Sequence, residues 1–336
     1  MDMRRLATAA VGISLGMCLF ASRVDASERV TIMVGGIDKI IYLPAVLAKR
    51  YFEKQGLDVD VVTESAGVNA EDEMIAGGVQ GVVGFYDHTI DLQAKGIEVE
   101  SLVQFSDVPG EVMLVSKNAA ATITSPADFK GQALGVTSLG SSTDFLTEYL
   151  ASQAGLDHDD YRLKAVDAGT TFINAMRENR IAAGMTTEPT ASRLISSAEA
   201  RVLIDMRTAD GTRSALGALY PTSCLYMPSS WVNAHRREAA LLVRGFVMAL
   251  RYLHTHSAEQ IVAMLPRSYY AGIDKALYVK ALKAYLPWFS ADGTMPADGP
   301  KTVLRVMSTI RPQVKKANID LKKTYTDMFV NEAAKQ

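Results

Sequence analysis

The chain reads as an α/β protein made of two similar halves, each a mainly parallel sheet wrapped by helices. Three observations carry that reading. From Arg29 onward, short β-branched runs alternate with helical patterns, the signature of βαβ units. The order strand, loop, helix, strand, helix, strand occurs twice, with corresponding strands about 100 residues apart and Gly84 and Gly184 at matching places. After about Trp231 the periodicity turns wholly helical, as expected of segments that pad existing sheets.

The N-terminus is a segment of its own. Arg4-Arg5 precede an apolar run from Leu6 to Ala21, and Val24-Asp25-Ala26 follows with small residues at the positions an export peptidase reads. Residues 1–26 are therefore expected to be a cleaved signal peptide, with the mature chain starting at Ser27 in the periplasm. The run is short for a bilayer span of about 20 residues. Cleavage would leave Cys224 as the single thiol, too few for an internal disulfide or a paired-cysteine metal site. Across 336 residues, 48% are hydrophobic and 21% charged, enough to bury ordinary cores. With 35 basic against 37 acidic side chains, the field is too weak to gather nucleic acid or coat an anionic membrane.

In the first half, strands are expected at Val30 to Val34, Leu57 to Thr63, Gly81 to Phe85, Val99 to Phe105 and Val112 to Ser116. A helix from Leu43 to Gln55 buries Ala45, Leu47, Ala48 and Phe52 and stops at Gly56, and a short one runs from Asn69 to Ala76. The second half offers strands at Ala133 to Thr137, Arg162 to Val166 and Ile181 to Met185. Its helices are Thr143 to Gln153, closed by Gly155, and Phe172 to Asn179. The tail carries helices at Leu241 to His254, Ala258 to Leu265, Lys275 to Tyr285 and Lys301 to Ile310, punctuated by prolines. It is expected to return to the first half.

Several stretches, in order, resemble the nitrate/sulfonate/taurine branch of ABC-importer binding proteins, which includes receptors for thiamine-pyrimidine precursors. They are Ile41-Tyr42-Leu43-Pro44-Ala45 with Phe52 to Leu57, then Ser125-Pro126-Ala127-Asp128-Phe129-Lys130-Gly131, then Glu188-Pro189. The resemblance implies a type II periplasmic-binding fold with two lobes and a two-strand hinge near Val115-Ser116 and Leu225-Tyr226. Lobe one would be 27–115 plus 225–336, and lobe two 116–224. It also implies a monomer that delivers a small molecule to an ABC permease and its ATPase, with no cofactor.

In open α/β sheets, ligands lie beyond the carboxyl ends of the strands. Gly36, after the first strand, permits close backbone approach, and Tyr42 offers a ring and a hydroxyl. Phe85, Tyr86, Asp87 and His88 form the densest cluster, with rings to stack on a planar solute and polar groups to fix its edge. Ser138, Ser141, Ser142 and Thr143 lead into a helix, where hydroxyls and free N–H groups suit an anion or simply cap the helix. Glu188 occupies the corresponding loop of the second half. The acids Asp87 and Glu188 disfavour a bare dianion, so an aromatic, amino-containing or zwitterionic solute fits as well as a simple organic anion. Three readings compete: a binding protein, a pyrimidine-precursor-synthase-like enzyme on the same fold, and a ligand-loaded sensor for a membrane kinase. The first is favoured, because an export signal and the lack of a recognisable nucleophile–base motif both speak against an enzyme.

Overall fold

A computed structural model describes residues 29–335, so the expected signal peptide lies outside the described residues. Ten strands form two five-stranded sheets. They are β1 (Val30–Val34), β2 (Val59–Thr63), β3 (Gly81–Phe85), β4 (Val99–Gln104), β5 (Glu111–Ser116), β6 (Ala133–Val136), β7 (Arg162–Ala165), β8 (Ala183–Thr187), β9 (Ala200–Met206) and β10 (Ser223–Pro228). The first sheet runs β2-β1-β3-β10-β4 and the second β7-β6-β8-β5-β9.

The two sheets have one plan. Each has a parallel trio, β2-β1-β3 or β7-β6-β8, and beside it one antiparallel strand contributed after the chain has crossed over. β5 runs antiparallel between β8 and β9, and β10 antiparallel between β3 and β4. Val112 to Ser116, read from sequence as the end of the first block, thus belongs to the second sheet. All six β5 residues are buried, and a short apolar run covered on both faces carries no mark of which sheet it joins.

Gly84 and Gly184 occupy equivalent positions opposite the crossing strands, Gly84 beside Cys224 and Gly184 beside Leu114. They differ in tightness. A methyl on Gly184 would lie 2.8 Å from the Gly135 carbonyl oxygen and 2.8 Å from the Phe172 ring, whereas on Gly84 it would meet only the side chains of Tyr226 and Val82 at 3.0 Å or more.

Much of the helical tail does return to the first sheet. Helix Arg236–Thr255 packs on helix Leu43–Lys54, and Gly245 makes room for the Phe52 ring, which a methyl would meet at 2.4 Å. Phe246 then stacks on Phe105 at 4.9 Å and meets Phe52 edge-on at 5.3 Å. Each such buried ring contributes roughly 1.5–3 kcal/mol. The last long helix, Gly299–Ile310, departs from the expectation by packing on helices from both halves, Asp87–Ala94 and Ser142–Gln153. Its Val303, Val306 and Met307 join Tyr226 and Phe145 in one apolar cluster that spans the two halves. From the same region Arg305 donates to Tyr149 Oη at 2.9 Å and to the Leu216 carbonyl, and Arg311 donates to Glu148 at 2.6 Å and Asp144 at 3.2 Å. Among the described residues, no helix is long and apolar enough to cross a membrane.

Candidate functional site

The carboxyl ends of the two parallel trios face one another across a cavity of about 20 Å³, enough for one water-sized sphere. From the first half, Tyr42, Phe85 and His88 line it together with Lys39, Ile41 and Gly67. From the second come Ser141, Ser142 and Thr143 with Glu111, Thr137 and Thr187.

Lys39 follows the β1 turn. Gly36 has φ of 107°, and a methyl there would overlap the Lys39 side chain at 2.6 Å, so glycine clears the path that brings the ammonium in. Lys39 Nζ donates to the carbonyls of Gly35 at 2.6 Å and Ser65 at 3.0 Å. Burial pushes its pKa down to about 8, against the pull of Asp38 and Glu111.

Tyr86 and the residues after it are more helical than the sequence reading allowed, since helix Asp87–Ala94 begins directly after the β3 turn. Successive side chains of this turn point in different directions. Phe85 stays at the cavity and meets the Tyr42 ring edge-on at 6.1 Å. Tyr86 turns into the core, where its hydroxyl pairs with Thr324 Oγ1 at 2.5 Å. Asp87 is fully buried and accepts from Ser142 Oγ at 2.8 Å and Tyr220 Oη at 3.0 Å, which ties the two halves together across the cleft. Burial raises its pKa, with His88 and these donors offsetting part of the rise. His88 places Nδ1 2.5 Å from Glu71 Oε2. Burial works against charge on the ring, but the attraction and hydrogen bond of Glu71 outweigh it and lift its pKa to about 9.

On the facing wall, helix Ser142–Gln153 points its N-terminus at the cavity. The side chains there bond among themselves: Thr143 Oγ1 accepts from the Thr137 backbone N–H at 2.9 Å, and Ser141 Oγ donates to the Ser138 carbonyl at 2.7 Å. Asp144 accepts from the Gly140 N–H at 2.7 Å and so caps the outer side of the turn. The Asp144 N–H already donates to the Ser141 carbonyl at 2.9 Å, so the N–H groups of Ser142 and Thr143 are the ones left to favour an anion at this end.

Of the residues singled out from sequence, six line the cavity: Tyr42, Phe85, His88, Ser141, Ser142 and Thr143. Asp87 stands directly behind them, and Ser138 supports Ser141 from outside. Gly36 lies in an adjoining open cleft beside Asp38, Glu64 and Asp167. Glu188 faces another cavity, of about 190 Å³, where Arg207 donates to it and to Asp205.

Lys39, Glu111 and Thr187 went unrecognised in the sequence. Glu111 and Thr187 are directly paired across the β5–β8 ladder, and each keeps a buried oxygen (Glu111 Oε2 and Thr187 Oγ1) without a hydrogen-bond partner. Lys39 and Glu111 each stand directly before an apolar run, Ile40-Ile41 and Val112 to Val115, but that pattern does not show which strand end they face.

Two α/β lobes that trap charged side chains between facing strand ends define a periplasmic-binding fold. The same architecture is found in the periplasmic nitrate-binding protein NrtA of Synechocystis PCC 6803 (13% identity, TM-score 0.74, covering 92% of this chain and 89% of that one). It recurs in the alkanesulfonate-binding protein SsuA of Xanthomonas axonopodis pv. citri bound to MOPS (16% identity, TM-score 0.71, 89% and 98%). A Bordetella bronchiseptica RB50 protein of known structure is 32% identical, with a TM-score of 0.88 over 91% of this chain and 97% of its own. Residues 41–212 match the model of the NMT1/THI5 like family, and the chain belongs to that family. No curated protein sequence matches it.

Proposed function

We propose that this protein is the periplasmic solute receptor of an ABC importer and holds a small organic anion with a planar, aromatic or heterocyclic body between its lobes. The observation that carries the reading is the cavity where both sets of strand ends meet, with Lys39 and the start of helix Ser142–Gln153 on opposite sides and the Tyr42 and Phe85 rings between. An ammonium and the Ser142 and Thr143 N–H groups at the helix start suit negative oxygen, and the two rings offer apolar surface to a flat group. The chain crosses between the sheets twice, between Gln104 and Glu111 and again between Met206 and Ser223, earlier than the Val115-Ser116 and Leu225-Tyr226 positions the resemblance implies, and these crossings would form the hinge. A cavity of about 20 Å³ holds no solute of that size, so binding requires the lobes to part, which breaks the Ser142–Asp87 bond, and then to close around the solute. The loaded, closed form would then dock on the permease and its ATPase. The relatives of this fold named as nitrate- and alkanesulfonate-binding proteins support that role.

The test is a thermal-shift screen of the chain from Ser27 against aromatic carboxylates, sulfonates, pyrimidines, flavins and amino acids. Calorimetry on the hits would follow. A solute bound only by the folded form raises the melting point by mass action. The expected result is a shift for one acid class that disappears in Lys39→Met and Phe85→Ala and is accompanied by no product. A shift that persists in both variants would place the ligand elsewhere and overturn this reading.

A further inference from the structure

Glu111 opens β5 with its carboxyl buried. It is 2% exposed, it lines the cavity, and its Oε2 has no hydrogen-bond partner. Lys39, which attracts a charge on it, spends two of its protons on the Gly35 and Ser65 carbonyls. On the ladder opposite, Thr187 Oγ1 is equally unpartnered, so two oxygens sit side by side with nothing to bond in the closed cleft. Leaving such groups unpaired in the folded protein is unfavourable, and a ligand that bonds them relieves that.

The charged and titratable groups around Glu111 decide which form it takes. Asp87 repels a charge on it from the first half, and Lys39 attracts one. Tyr42, Tyr220 and Tyr285 face the same region and are themselves held in their neutral forms by burial. The His88 charge is matched by Glu71. Burial, with Asp87 adding to it, outweighs Lys39 and holds the Glu111 carboxyl well above the ordinary carboxylate range.

We propose that Glu111 reads the charge of the ligand: it faces the cleft as a neutral carboxylic acid and, with the Thr187 hydroxyl, donates a hydrogen bond to an anionic or carbonyl oxygen of the solute. A neutral acid is a donor as well as an acceptor, whereas a carboxylate can only accept. An anion is therefore held while the acid keeps its proton and is repelled once the proton leaves. An ammonium ligand would show the opposite dependence. The inference deepens the receptor reading and rests on it, but the state of Glu111 can be measured without any ligand.

Two measurements test it. The first compares melting points of the unliganded wild type and Glu111→Gln between pH 5 and 9; glutamine has the shape of the neutral acid and cannot ionise. Because the folded form holds the proton and the unfolded form does not, the wild type should lose stability relative to the variant as pH rises. A difference that stays flat would overturn the assignment. The second measures benzoate binding over the same range. Ionisation of Glu111 should lower wild-type affinity about tenfold per pH unit, and loss of the Lys39 proton above about pH 8 should add to that fall. The fall should be one proton shallower in Glu111→Gln, where only Lys39 still titrates, and Thr187→Val should weaken binding at every pH. Equal slopes in wild type and Glu111→Gln, or an ethylammonium ion that binds in place of benzoate and binds better as pH rises, would also overturn it. Failure of every anion in the screen would instead remove the receptor reading, leaving the melting comparison to judge Glu111 alone.

Discussion

Arg311→Ala should destabilise the protein in a way that depends on pH. Arg311 reaches from the end of helix Gly299–Ile310 across to the second lobe, where it donates to Glu148 at 2.6 Å and Asp144 at 3.2 Å and lies over the Phe145 ring at 4.5 Å. The two carboxylates are almost fully buried, and Arg311 keeps 18% of its side chain exposed. Removing one member of a fully buried pair costs about 3–5 kcal/mol. The solvent beside Arg311 screens part of that, so about 2–3 kcal/mol is expected at pH 7.5, with the ring contact contributing up to about 1 more. Burial already raises the pKa of Asp144 and Glu148, with Arg311 opposing the rise. Without the guanidinium both rise further, so the folded variant takes up protons as pH falls and its deficit shrinks toward pH 5. Urea melts at pH 7.5 and 5, with slopes compared to confirm a common unfolded state, would measure this. A loss below about 1 kcal/mol at pH 7.5, or the same loss at both pH values, would refute the reasoning.

His88→Gln should be least stable relative to wild type below about pH 6.5. Its deficit should fade as pH rises through about 9, where wild-type His88 loses its proton and its pull on Glu71; a deficit that grows with pH in paired thermal melts would contradict the ion pair. Gly184→Ala should cost about 1–3 kcal/mol because its methyl meets the Gly135 backbone, and Gly84→Ala less because side chains can give way; chemical denaturation that ranks them the other way would contradict the packing. Ser142→Ala should leave stability within about 1 kcal/mol of wild type but shift the unliganded protein toward an open form, since it removes the bond to Asp87 across the cleft; an unchanged radius of gyration in solution scattering would count against that bond as a closing contact.

Much of the architecture was legible in the sequence because it rests on local signals. β1 (Val30–Val34), β3 (Gly81–Phe85) and helix Lys275–Tyr285 fall where periodicity and breakers put them. Helix Asp87–Ala94 was not seen, because its residues are buried nearly all round and show little amphipathic contrast. β9 (Ala200–Met206) was missed too: Arg201 and Asp205 interrupt its apolar run, and an edge strand tolerates them. The site divides in the same way. Tyr42, Phe85 and the Ser141–Thr143 turn were found because loops after strands are where ligands sit. Glu111 and Thr187 were not, because their importance comes from a pairing between β5 and β8, strands separated by a long stretch of chain. Local pattern does not report such a partner.

The insertion of β10 between β3 and β4 sets the order in which the molecule can be made. A ribosome that has released everything through β4 has supplied four strands of the first sheet, yet β3 and β4 have no partner in common until Ser223–Pro228 emerges. The second sheet, complete once Met206 is out, can assemble earlier than the sheet that precedes it in the chain. The N-terminal lobe is thus the last to close, and its closure needs contacts of long sequence separation, the kind that form slowly. If residues 1–26 act as the export signal expected of them, a first sheet that stays incomplete until Ser223–Pro228 has been synthesised lengthens the time in which passage through a membrane channel is still possible.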